Sequence, residues 1–163
     1  MRGRNILAFV VSLLLASVVL AQVGEGKAKA APKAAAGKAV IWPATDLKWV
    51  DIEGGPAGVK VADLWGDHTK GAYGAMMKFP AGFAAPLHTH SSDAHLVIVS
   101  GTFIHGPEGK PEVRLPAGSY LKQPANYRHT TACDKASECV FFVEGKGKFD
   151  IKMVEEGKAP AKK

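Results

Sequence analysis

A chain of 163 residues, 47% of them hydrophobic, is long enough for one domain with a real core and too apolar to be disordered throughout. Its net charge of +6 points towards nucleic acid until the charges are located. Six basic residues stand against Glu25 before residue 42, 12 basic residues balance 12 acidic ones over 42–154, and three lysines face two glutamates from Glu155 onward. A nucleic-acid binder gathers positive charge on the folded face that meets phosphates. Here the folded portion is neutral, and that class is set aside.

Taken in chain order, "MRGRN" is a positively charged start and "ILAFVVSLLLASVVLA" an apolar run, and Val19-Leu20-Ala21 suits a signal peptidase. Residues 1–21 therefore read as a signal peptide, with cleavage after Ala21. The alternative is an uncleaved anchor, but Ile6 to Ala21 is 16 residues, short of the roughly 20 that span a bilayer. The expectation is a secreted or periplasmic protein with no stable membrane anchor after cleavage. Residues 22–41, with "GEGKAKAAPKAAAGK", lack the apolar residues needed to pack and read as a flexible linker. Residues 155–163 read as a disordered tail, which leaves 42–154 as the folded domain.

Within that domain short β-favouring runs alternate with Gly/Pro turns. "KWVDI", "VKVADLW", "YGAMMKF", "HLVIVSGTFI", "SYLKQ", "HTTAC", "CVFFVE" and "FDIKMV" are the predicted strands. "EGGPAG", "GDHTKGA", "PAGFAAP", "GPEGKP", "LPAG" and "PANY" fall between them. No amphipathic window is long enough for a substantial helix, and this spacing argues for an all-β sandwich or barrel. Cys133 and Cys139 flank "DKASE", a polar stretch between two of the runs. After export, a disulfide across that hairpin is the expectation; two buried thiols or metal ligation are the alternatives.

The chemistry concentrates in "PLHTHSSDAHLVIVSG". His88 and His90 fall on one face of a strand, about 6.6 Å apart at Cα, close enough for both imidazoles to reach one ion. His95 follows a polar turn, and His129 opens "HTTAC". Four neutral imidazoles suit zinc, copper, iron or nickel better than magnesium or calcium, although a bare H-x-H is equally at home on a surface or in a core. His68 falls in a turn and is expected to be exposed; His105 falls at a strand end. Asp93 is the only nearby carboxylate. Trp65, Phe79, Phe103, Tyr120 and Phe142 are candidates for a barrel interior.

The spacing around these histidines resembles the cupins, small jelly-roll (double-stranded β-helix) barrels with two metal-site motifs. The first family motif is G-x5-H-x-H-x3–4-E-x6-G; here Gly82, His88, His90, His95 and Gly101 match it, with the interval to Gly101 one residue short. The second is G-x5-P-x-G-x2-H-x3-N; here Gly118, Pro124, Asn126, His129 and Cys133 follow it. Asn126 replaces a glycine but tolerates the left-handed turn, Cys133 replaces the final asparagine, and His95 replaces the glutamate. The resemblance covers roughly residues 47–154 and extends to cupins of unknown function and to the cupin domains of zinc anti-sigma factors. It implies one divalent transition metal at His88, His90, His95 and His129, a small-molecule ligand or substrate, and a homodimer formed through an edge strand. Cupin dioxygenases are the enzymes it suggests. A non-catalytic sensing or storage module, or a barrel merely stapled by a closed metal site, are the competing functions, distinguished by whether the metal keeps an open position.

Overall fold

The structure, a computed structural model, describes residues 37–154. The expected signal peptide, the linker up to residue 36 and the tail lie outside the described residues. The chain divides into two units between Ala39 and Val40. Residues 37–39 of the first are exposed and irregular, and all the described secondary structure lies in the second.

After a short 3-10 turn (Ala44–Asp46) come eleven strands: β1 (Val50–Asp51), β2 (Lys60–Gly66), β3 (Tyr73–Phe79), β4 (Ala84–Thr89), β5 (Ala94–Ser100), β6 (Thr102–Pro107), β7 (Val113–Pro116), β8 (Tyr120–Gln123), β9 (His129–Cys133), β10 (Cys139–Gly145) and β11 (Lys152–Met153). They form two antiparallel sheets, one ordered β1-β2-β3-β10-β5-β8 and the other β11-β4-β9-β6-β7. Chain neighbours such as β4 and β5 therefore lie in different sheets. This is a jelly-roll arrangement, as the resemblance to the cupins implies.

Alternation decides what goes inside. Along β10 the buried residues are Cys139, Phe141, Val143 and Gly145, with Val140, Phe142 and Glu144 between them turned outward. Phe141 and Val143 meet Ala75 and Met77 of β3, Leu96 and Ile98 of β5 and Phe103 of β6 in one core. Phe103 and Phe141 pack edge to face with centroids 5.3 Å apart, the preferred aromatic geometry.

The same alternation corrects three interior assignments. Phe142, Val97 and Tyr120 fall in register on the outer face of the first sheet, and Tyr120 is 58% exposed. Trp65 also lies outside, its indole covering Gly74 so closely that a Cβ there would sit 2.1 Å from Nε1. Phe79 and Phe103 do line the interior.

The run "HLVIVSGTFI", read as one strand, is two. Gly101 takes φ +74, and a Cβ on it would stand 2.3 Å from the Glu138 carbonyl oxygen, so the chain turns there from one sheet into the other. Cys133 and Cys139 are joined by a disulfide, their Cα atoms 5.8 Å apart.

Candidate metal centre

β4 and β9 are antiparallel neighbours, and His88 stands directly opposite His129. His90 follows just past the end of β4, brought back to the same side by the two-residue period. The ring centroids are 4.2 Å apart for His88 and His129, 5.1 Å for His88 and His90, and 5.4 Å for His90 and His129. One ring nitrogen from each lies within 4.8 Å of the other two.

The second nitrogen of each ring explains the orientation. His88 Nδ1–H donates to the Pro86 carbonyl at 2.7 Å and His129 Nδ1–H to the Tyr127 carbonyl at 2.9 Å. His90 Nδ1–H donates to the Asp150 carbonyl. A carbonyl oxygen only accepts, so each Nδ1 must carry the proton and each Nε2 keeps its lone pair. Backbone partners that fix tautomer and ring direction in this way are what metal-ligating histidines have. Burial favours the neutral rings, pushing His88 and His90 below the usual histidine range and His129 down to about 3, with weaker opposing help to the charged form from the carbonyl contacts. Donor type, tautomer and convergence all fit a transition-metal ion.

His95 does not join them. Its strand belongs to the opposite sheet, where Ala94, Leu96 and Ile98 point inward and His95 points out. There its Nδ1 lies 3.1 Å from the exposed Tyr120 hydroxyl. The fourth position of the expected cage is thus corrected: at a spacing of three residues after His90, the inward place belongs to Ala94. Gln123 instead approaches the trio, its amide nitrogen 2.7 and 3.1 Å from Nδ1 and Nε2 of His129. Turning that amide over would present its oxygen to the same spot.

His105, assigned to a strand end, lies within β6 and is 5% exposed, with its ring 5.0 Å from that of His129 and its Nδ1 without a hydrogen-bond partner. His68 is not a free turn residue: Nδ1 sits 2.9 Å from the Asp63 carboxylate, and its side chain is 13% exposed. Asp93 is occupied structurally, accepting the Ala125 N–H at 2.7 Å. Asn126 adopts φ 59, and its N–H donates to the His90 carbonyl at 2.7 Å, holding the second motif's turn against the trio. Cys133 is disulfide-bonded and stands away from the trio's β9 end.

A cavity of about 80 Å³ opens beside the three imidazoles. Phe79, Phe83, Phe103, Phe141 and Phe149 give it apolar walls, and Tyr73, Ala94 and Gln123 also line it. The model of a domain of unknown function, DUF4437, matches residues 27–162. The chain belongs to the DUF4437 family. No curated protein matches it.

Among solved structures, this DUF4437 chain is similar to the DMSP lyase DddQ from Ruegeria pomeroyi DSS-3, at 20% identity and a TM-score of 0.56, over 70% of this chain and 64% of that one. An RmlC-like cupin from Ralstonia eutropha JMP134 aligns at 20% identity and 0.54, over 68% and 76%. The Rhodobacter sphaeroides complex of SigE with the anti-sigma ChrR aligns at 22% and 0.50, over 63% and 51%. The DUF4437 chain thus spans less than two thirds of the DddQ chain. At these identities the likeness is one of fold, and the fold is the cupin-like jelly-roll barrel.

Proposed function

We propose that this protein is an exported cupin that binds one divalent transition metal through His88, His90 and His129 and uses it on a small organic molecule, as a mononuclear metal-dependent enzyme of the dioxygenase kind. The observation that carries the reading is the set of three Nε2 lone pairs, each fixed by a backbone carbonyl on Nδ1, facing an apolar cavity. A metal held there would act as a Lewis acid on an oxygen of the bound molecule. The chain's own contribution is to hold three neutral donors, to keep water out with a wall of phenylalanines, and to leave space where a fourth side-chain ligand would stand. That space, floored by Ala94, favours ligand binding over a closed structural site, which has four protein ligands. Sensing or storage without turnover shares the same geometry.

The test is elemental analysis of purified 22–163 beside a His129→Ala variant, after stripping and reloading with iron, zinc, manganese, nickel or copper. About one ion per chain, lost in the variant, is expected. No retained ion under any loading overturns the reading. Nitric oxide or azide binding to the reloaded iron then separates an open site from a closed one.

A further inference from the structure

The three imidazoles have their Nδ1 protons committed to backbone carbonyls, and Asp93 is committed to Ala125. A further pair of polar groups lies across the cavity floor. Strand register places Tyr73, Gly145, Ala94 and Gln123 in one row on the inner face, from β3 through β10 and β5 to β8. The middle two have almost no side chain. Gly145 is required: a Cβ there would stand 2.3 Å from Cε1 and 2.9 Å from Cζ of Tyr73, so the phenol ring lies down over it. Tyr73 is 2% exposed, lines the same cavity as the trio, and its hydroxyl makes no hydrogen bond among the described residues. Gln123, at the other end of the row, already touches His129. The hydroxyl is not among the fully enclosed unpaired side-chain atoms, so it borders open space in which an acceptor oxygen can stand.

We propose that the Tyr73 hydroxyl, with the Gln123 amide opposite, is the hydrogen-bonding post that fixes an oxygen of the ligand bound at the His88–His90–His129 centre. The ligand is a small aromatic or branched apolar molecule carrying one or two oxygens, neutral or singly anionic. This rests on the metal reading above and adds the ligand class to it. The five phenylalanines match an apolar body, and the one lysine of the lining, Lys148, stands with two carboxylates, Asp93 and Asp150, so the cavity has no surplus of fixed positive charge to balance a phosphate or a dicarboxylate. Burial, and secondarily the charge of Asp63, push the phenol above its ordinary range, so it stays a donor at neutral pH. Asp63 itself is held by His68, whose ring stands edge-on to Tyr73 at 6.2 Å.

4-Nitrocatechol serves as the probe, its visible absorption reporting binding to zinc-loaded and to chelator-stripped 22–163. Zinc content is measured alongside. Tyr73→Phe keeps the ring over Gly145 and is expected to keep its zinc while binding the probe about tenfold more weakly, the usual effect of losing one buried hydrogen bond. Tyr120→Phe, on the outer face, is expected to bind like the parent protein. Probe affinity of Tyr73→Phe within twofold of the parent overturns the proposal, as does an equal loss in Tyr120→Phe or no probe binding by the parent in either form. Failure of the metal reading shows separately, as a parent protein without zinc. The stripped protein then carries the Tyr73 comparison, with the same tenfold loss expected, because the phenol acts on the ligand and not on the ion.

Discussion

Ala94 and His95 are one position apart, and that position decides whether a side chain enters the cavity or faces solvent. The H-x-H pair and the His129 motif were legible because their geometry is local: a two-residue period on one strand, and a left-handed Asn126 turn that leads into another. His95 was not, because the turn "SSD" sets the parity of β5, and a spacing of three or four residues leaves that parity open. Tyr73 and Gln123 were invisible, and His105 showed only as a strand-end histidine, for a different reason. Their partners come from register across β3, β10, β5 and β8 and from the packing of β6 on β9, which no local pattern encodes. Two outcomes follow for metal uptake. His95→Ala is expected to leave ion content and affinity unchanged in a competition titration against a chromophoric chelator. Ala94→Glu, which returns a carboxylate to the inward position, is expected to raise zinc affinity by tenfold or more in the same titration, since an added anionic donor turns three ligands into four.

At the scale of elements, β9 and β10 are not the expected hairpin but run in different sheets, and the disulfide ties the connection between them at the end far from His129. Cutting that tie with Cys133→Ala and Cys139→Ala together is expected to cost about 2 kcal/mol for so short a loop, seen as a Tm lower by roughly 5–10 °C with metal content unaltered. Gly101→Ala is expected to cost more than 1 kcal/mol in urea melts, because alanine resists φ +74 and its Cβ meets the Glu138 carbonyl. The strands with clear alternation and Gly/Pro borders were readable: β3 and β9 match "YGAMMKF" and "HTTAC" residue for residue. The His88 end of β4 was read as strand, but its first half, Ala84–Pro86, was hidden in the turn-like "PAGFAAP", since Ala and Pro carry no strand signal. β7 is a four-residue edge strand whose "VRLP" is too short to show a period. In "CVFFVE" the two adjacent phenylalanines fit either parity, and only the sheet's register sends Phe141 in and Phe142 out.

For the whole molecule, the three histidines couple metal, pH and stability. His88 and His90 come from one stretch, His129 from another strand, and the Asp150 carbonyl that orients His90 from the segment leading into β11. An ion binding all three therefore favours the folded chain over the unfolded one, where no such site exists. Loading the stripped protein with zinc should raise its Tm, and the rise should vanish in His129→Ala. In the stripped protein the sign of the pH effect is fixed by burial. Folding lowers the histidine pKa values, His129 to about 3, whereas unfolded histidines titrate near 6.5. Between those values the unfolded chain binds more protons than the folded one, so stability rises with pH. It is complete above about pH 7 and is lost progressively as the pH falls through 6.5 towards 3. Thermal melts of stripped protein should accordingly be flat from pH 7 to 8 and fall between pH 6 and 4. His129→Ala should flatten that fall, and a melt curve that keeps its full slope in the variant would show that other groups, not the buried trio, set the acid limit of the barrel.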